Sequence, residues 1–189
     1  MRSRGLKVSR SEPRDFETSR RLFSWMPALT QKGRIFWPIF FGWLTLDLIT
    51  KHLALQNLWP PGVPHEILGE YLRFTLAFNR GAAMGMSLGD FSRPAFTVIG
   101  LVLLGGLGWL YHKTRNDQRL QAAIIGFIMA GAIGNLVDRL RHERGVTDFI
   151  DAGIGTMRFW TFNVADMGIT CGAIALALLL GRDGEKPAG

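Results

Sequence analysis

The chain has 189 residues, a formal net charge of +7 and a 48% apolar composition, which bounds it to about one domain. Its single cysteine, Cys171, excludes an internal disulfide and any CxxC motif, and His52, His65, His112 and His142 have no ligand-like spacing, so no metal and no cofactor are expected. The charge comes with no recognition motif, so no nucleic-acid partner is expected.

Residues 1–34 carry nine basic side chains, Arg2, Arg4, Lys7, Arg10, Arg14, Arg20, Arg21, Lys32 and Arg34. This stretch reads as a basic, disordered cytoplasmic arm with affinity for anionic lipid headgroups. No small-residue cleavage site follows the first apolar run, so a cleaved signal peptide is not expected.

Four apolar runs follow, at about 35–55, 95–111, 120–137 and 164–180, each near the length that crosses a bilayer. Pro94 is well placed at a helix start. The runs at 95–111 and 164–180 are apolar nearly all round, which disfavours a soluble bundle. Gly126, Ala130 and Gly134, and again Gly168 and Gly172, recur four apart, as close helix packing in lipid requires. The expected fold is thus an all-α membrane protein of four transmembrane helices, with the four-helix transmembrane domain over 35–181 and a cytoplasmic tail over 182–189.

Between the first two runs, Leu72, Phe74, Leu76 and Phe78 alternate with Tyr71, Arg73, Thr75 and Ala77, the period of a half-buried strand. A weaker strand candidate covers 157–162, and the two predict a small extracytoplasmic β-sheet region. Trp59 and Trp160 suit the outer membrane interface, and Trp37 and Trp109 the inner one.

With four spans both termini share a side. That side holds fourteen Lys and Arg against seven on the other, so the positive-inside rule puts both termini in the cytoplasm. The loop after the third span, with Arg139, Arg141, Arg144 and Arg158, is more basic than the rule favours, which suggests work for its arginines.

On that topology Asp47, Lys51, Asn135, Asp138, Arg139, Asp148, Asn163 and Asp166 all gather at the outer leaflet, and the inner halves of the helices are almost purely apolar. Carboxylates at membrane depth cost free energy and mark a functional site by default. Asp47 and Lys51, four apart, suit a structural ion pair. Asp138 beside Arg139 also suits a scaffold role, and Asp151 reads as a solvated loop residue. Asp166 opens an apolar helix with no basic neighbour in its span. Asp148 lies in a short apolar patch able to dip into the membrane. Two carboxylates meeting at low dielectric share one proton and divide into an acid and a base, able to activate water against an amide. No GxGD motif is present. The rival readings are a small proton- or ion-coupled membrane transporter, with Asp47, Asp138 and Asp166 as relay groups, and a non-catalytic assembly factor.

Four motifs in order carry a resemblance: DLITK at 47–51, NRGAAMG at 79–85, GNLVDR at 134–139 followed by GVTDF at 145–149, and FNVAD at 162–166. They are similar to the DxxxK, NxGAAFG, GNxxDR with GxVxDF, and FNxAD of signal peptidase II, the bacterial lipoprotein signal peptidase, over nearly all of residues 35–180. The resemblance implies a metal-independent aspartyl peptidase of the bacterial inner membrane that cleaves diacylglyceryl-modified prolipoproteins before the lipidated cysteine and is inhibited by the cyclic peptide globomycin. Its partners would be the prolipoprotein and membrane lipids. It implies Asp148 and Asp166 as the catalytic pair, Asn79, Asn135, Arg139 and Asn163 as supporting or substrate-binding residues, and a structural role for Asp47, Lys51 and Asp138. Met84 departs from the family's frequent aromatic, which would loosen substrate or inhibitor packing. The basic arm has no counterpart in the resemblance.

Overall fold

A computed structural model describes residues 30–80 and 89–184. The readings of residues 1–29, of the run 81–85 including Met84, and of the tail beyond 184 lie outside the described residues. Helix α1 spans Gln31–Asn57, α2 Ser92–Lys113, α3 Arg119–Arg141 and α4 Val164–Gly184. Each exceeds its predicted apolar run at one or both ends, because the polar residues flanking a span continue the helix. Helix α1 begins at Gln31, where the Thr30 hydroxyl accepts the Gly33 N–H at 3.2 Å.

Helix α3 is central and packs against α1, α2 and α4. Small residues make this possible. A methyl group added at Gly131 would strike the Ala165 carbonyl of α4, and one at Gly134 would strike the Asp47 carboxylate of α1. Phe36, Phe40, Ala122, Ile125 and Ala130 form the core of the α1–α3 contact. Among the described residues α2, α3 and α4 are long and apolar enough to cross a membrane. Helix α1, at 27 residues, is about 40 Å long, and is set apart by the buried Asp47 and Lys51 in its second half. Val98, Ile99, Leu101, Val102 and Leu103 of α2 are half or more exposed, a face that suits lipid.

One end of the bundle carries an antiparallel sheet in the order β1 (Pro64–Leu68), β2 (Leu72–Asn79), β3 (Val146–Ile154), β4 (Met157–Arg158). The alternation at 71–78 is β2. The candidate at 157–162 is smaller than expected: β4 has two residues, and Phe162 adds a bridge to Ile150. Strand β3 corrects the reading of its segment as a loop, and β1 was not among the expected strands. In particular, Asp148 rides on a paired strand, opposite Ala77 of β2. A register shift separates the Phe74–Ile150 and Ala77–Asp148 pairs, and such an irregularity re-aims the side chains beyond it. Phe149 points into a second core with Ala54, Leu58, Leu76 and Val164, so the strand is pinned to α1 by its neighbour's ring.

The basic loop has its explanation here. Arg158 ion-pairs with Asp151 at 2.8 Å and also reaches the Glu70 carbonyl. Arg144 lies 5.5 Å from the Trp59 and Phe78 ring centroids. Asp151 is therefore not a solvated loop residue: it is half-buried, on β3, and also accepts the Thr75 hydroxyl at 3.1 Å.

Candidate active site

Helix α4 starts with a reciprocal cap. The Asp166 N–H donates to Asn163 Oδ1 at 2.9 Å, and the Asn163 N–H donates back to Asp166 Oδ2 at 3.3 Å. This is the capping-box arrangement, with Asn as the cap and Asp three residues on. It fixes the Asp166 carboxylate at the N-terminal end of the helix, where the helix dipole is positive. A further free N–H of that first turn, Ala165, donates to Asp47 Oδ1 at 2.8 Å, and the Trp43 indole donates to the Val164 carbonyl at 3.2 Å. Helix α1 thereby holds the helix start from the other side.

The Asn163 amide turns its donor side to β3. Its Nδ2 meets Asp148 Oδ1 at 2.7 Å, Asn135 Oδ1 at 3.1 Å and the Thr147 carbonyl at 3.3 Å. Asn163 is fully buried and Asp148 is 3% exposed. The Asn79 side chain, at the end of β2, also hydrogen-bonds Asp148. Its position depends on Gly145, whose φ of +91° suits glycine and whose missing Cβ leaves room for the Asn79 carbonyl. Asp166 Oδ1 takes a 2.7 Å hydrogen bond from Asn135 Nδ2. Asn163 thus links both carboxyl groups, Asp148 through its side-chain Nδ2 and Asp166 through its backbone N–H, and Asn135 braces the second.

Behind them, Lys51 Nζ lies 2.8 Å from Asp47 Oδ2, 3.3 Å from Asp138 Oδ2 and 2.9 Å from Asn135 Oδ1. The Asp47 contact is a close buried ion pair within one helix, four residues apart. Asp138 Oδ2 also accepts the Thr147 N–H at 3.0 Å, tying α3 to the residue before Asp148. Arg139 is held by α2: Arg93 Nε donates to its carbonyl at 2.8 Å and the Phe96 ring lies 5.9 Å from its guanidinium. Among the described residues its own Nη1 reaches the Asn135 carbonyl, at 3.4 Å, and its buried Nε has no partner.

Burial pushes the Asp148 carboxyl up to about 7, with the Asp166 charge adding to the rise, while the hydrogen bond from Asn163, the Lys51 charge and the hydrogen bond from Asn79 oppose it. A carboxyl that keeps its proton near neutrality beside one fixed at a helix N-terminus is the division of labour an acid–base pair needs.

All nine polar residues singled out in the sequence therefore fall within one connected cluster at the sheet end of the bundle. Thr147, through its backbone N–H and C=O, and Trp43 belong to the same scaffold and were not singled out. The [S/T/N]-x-x-[D/E] pattern before an apolar run would have pointed to the cap formed by Asn163 and Asp166, but nothing in the sequence marks Thr147 or Trp43.

The family model for signal peptidase (SPase) II matches residues 39–181. The chain belongs to the signal peptidase II family. The lipoprotein signal peptidase of Hydrogenovibrio crunogenus is 39% identical over 137 residues, covering 71% of this chain and 78% of the relative. That of Geobacter sulfurreducens is 37% identical over 158 residues, covering 82% and 96%. A bacterial membrane enzyme solved by the in meso method at 2.3 Å is similar with a TM-score of 0.69 and 29% identity, over 79% of this chain and 88% of that one. As a member of the family the chain is an aspartic peptidase and a multi-pass protein of a bacterial membrane. Family membership removes the transporter and assembly-factor alternatives.

Proposed function

We propose that this lipoprotein signal peptidase cuts diacylglyceryl-modified prolipoproteins immediately before the lipidated cysteine, with Asp148 and Asp166 as the pair that activates water. The observation that carries this reading is one buried residue, Asn163, that donates its side-chain Nδ2–H to the Asp148 carboxyl and its backbone N–H to the Asp166 carboxylate.

The hydrogen bonds assign the roles. Asp166 accepts two N–H donors and sits at a helix N-terminus, so it serves as the base and takes a proton from water. Asp148 holds a proton and gives it to the scissile carbonyl oxygen as the water oxygen attacks the carbon. The resulting diol collapses: the C–N bond breaks, the departing nitrogen takes the proton from Asp166, and a diol hydroxyl returns its proton to Asp148. The products are a carboxylic acid and a free amine, and the pair is reset. Arg139 offsets the negative charge of the cluster, and Asn79 steadies Asp148.

The same reading puts both termini in the cytoplasm and the sheet end at the outer leaflet of the inner membrane, supported by the fourteen-to-seven asymmetry of Lys and Arg. Membrane lipids would surround the exposed apolar helix faces, and a globomycin-like cyclic peptide would compete for the site.

The test is cleavage of a purified diacylglyceryl-modified prolipoprotein and its unmodified precursor by the reconstituted enzyme, with the product ends read by mass spectrometry. One cut, directly before the lipidated cysteine, is expected, with the unmodified precursor about 100-fold slower because binding energy from the acyl chains is lost. Equal rates for the two, or a cut elsewhere, would count against the proposal.

A further inference from the structure

Lys51 has the geometry of more than half an ion pair. Its ammonium group is 3% exposed and touches three side chains on two helices: Asp47 on α1, and Asn135 and Asp138 on α3. An ammonium group has donors and no acceptor. It therefore meets the Asn135 amide only through the carbonyl oxygen, Oδ1. The Asn163 amide donates to that same oxygen. With Oδ1 held by two donors, the Asn135 Nδ2 is left to face Asp166, which it reaches at 2.7 Å.

We propose that Lys51 is a positioning residue for the reaction: by gripping Asn135 Oδ1 it dictates which way that amide faces, and so keeps a donor on Asp166 and holds Asp166 as the base. This rests on the reading of Asp148 and Asp166 as the catalytic pair. Asp47 is the anchor of the device. One of its oxygens orders the first turn of α4 through the Ala165 N–H, and the other faces Lys51. The same lysine thus ties the start of α4, which carries Asp166, to the helix that carries Asn135.

The charge matters as well as the grip. The groups around the cluster are Asp47 on α1, Asp138 and Arg139 on α3, Asp148 on β3 and Asp166 on α4. Lys51 and Arg139 are the two cations among these four carboxyl groups. The Lys51 charge opposes the rise of the Asp148 carboxyl, so without the lysine Asp148 holds its proton to higher pH.

The test compares wild type with Lys51→Met, which keeps the buried stem and removes the charge and the donor. The readouts are kcat, KM and the pH profile on a purified diacylglyceryl-modified prolipoprotein, with unfolding followed in the same detergent. The proposal expects kcat to fall about 100-fold, KM to change by less than about threefold, and the pH profile to move up by about one unit. A folded Lys51→Met with wild-type kcat and an unshifted profile would overturn it and leave only a scaffold role. If that variant does not accumulate, because Asp47 is left charged and buried, Asp47→Asn/Lys51→Met replaces the ion pair by a neutral one. The same two signatures in the double variant support the proposal, and their absence defeats it. Asp148→Asn runs alongside: wild-type turnover by that variant refutes the catalytic pair itself. An inert Asp148→Asn beside an unshifted Lys51→Met refutes only the role of the lysine.

Discussion

Asn163 combines a helix cap with a bridge between two acids, and two substitutions separate those tasks. Serine keeps a side-chain oxygen at the cap but is too short to reach Asp148. Alanine loses both. The cap bond to the Asp166 N–H is worth about 1 kcal/mol. The lost donor leaves Asp148 Oδ1 buried with one fewer partner, at a cost of about 1–3 kcal/mol. Asn163→Ser should therefore cost about 1–3 kcal/mol and Asn163→Ala about 2–4 kcal/mol. Both should lose activity to the same degree, by about 100-fold or more, because both strip the bridge. Denaturant unfolding in micelles, followed by tryptophan fluorescence, measures the first quantity, and turnover of lipidated precursor the second. The reasoning fails if serine restores activity, or if the two variants are equally stable, since the cap would then contribute nothing.

Asp148 makes stability depend on pH with a definite sign. Its carboxyl is raised from 3.8 to about 7 in the folded protein, so the native state binds more protons than the unfolded one across that interval. This group's contribution is fully present below about pH 4 and is lost as pH rises through 7; unfolding curves over that range should show the decline, and Asp148→Asn should flatten it. Gly134→Ala drives a methyl against the buried Asp47 carboxylate and should cost about 1–3 kcal/mol. Gly42→Ala meets no atom within 4 Å and should change stability by less than about 0.5 kcal/mol; paired melts of the two check the contrast. Arg158→Met removes the 2.8 Å pair with Asp151 and should loosen β3 against β4. Faster amide exchange along Val146–Ile154 would register this, and unchanged exchange would contradict it.

The helices were legible because lipid demands long apolar runs, and their breaks are sharp in this chain. Strand β2 was legible because Phe74, Leu76 and Phe78, two apart, pack in the second core, which writes a period of two. Strand β3 was not, since Val146, Thr147, Asp148 and Phe149 are all buried and burial on both sides erases the alternation. Strand β1 failed for the opposite reason, being exposed along its whole length. At the site, motif order brought out the polar residues one by one. Their connections were hidden: the i, i+4 spacing of Asp47 and Lys51 suggests a self-contained pair, whereas Asn135, the partner of Lys51 on α3, lies 84 residues away. The solvated reading of Asp151 failed likewise, because Thr75 and Arg158 reach it across strands.

The account stands most directly on single-turnover cleavage of a lipidated precursor by Asp148→Asn and by Asp166→Asn, each shown to be folded. Asparagine preserves shape and most hydrogen bonds while removing the exchangeable carboxyl proton. Each variant should be slower than wild type by about 1,000-fold. Cleavage by either one within about tenfold of the wild-type rate would mean that the two acids are not the chemistry.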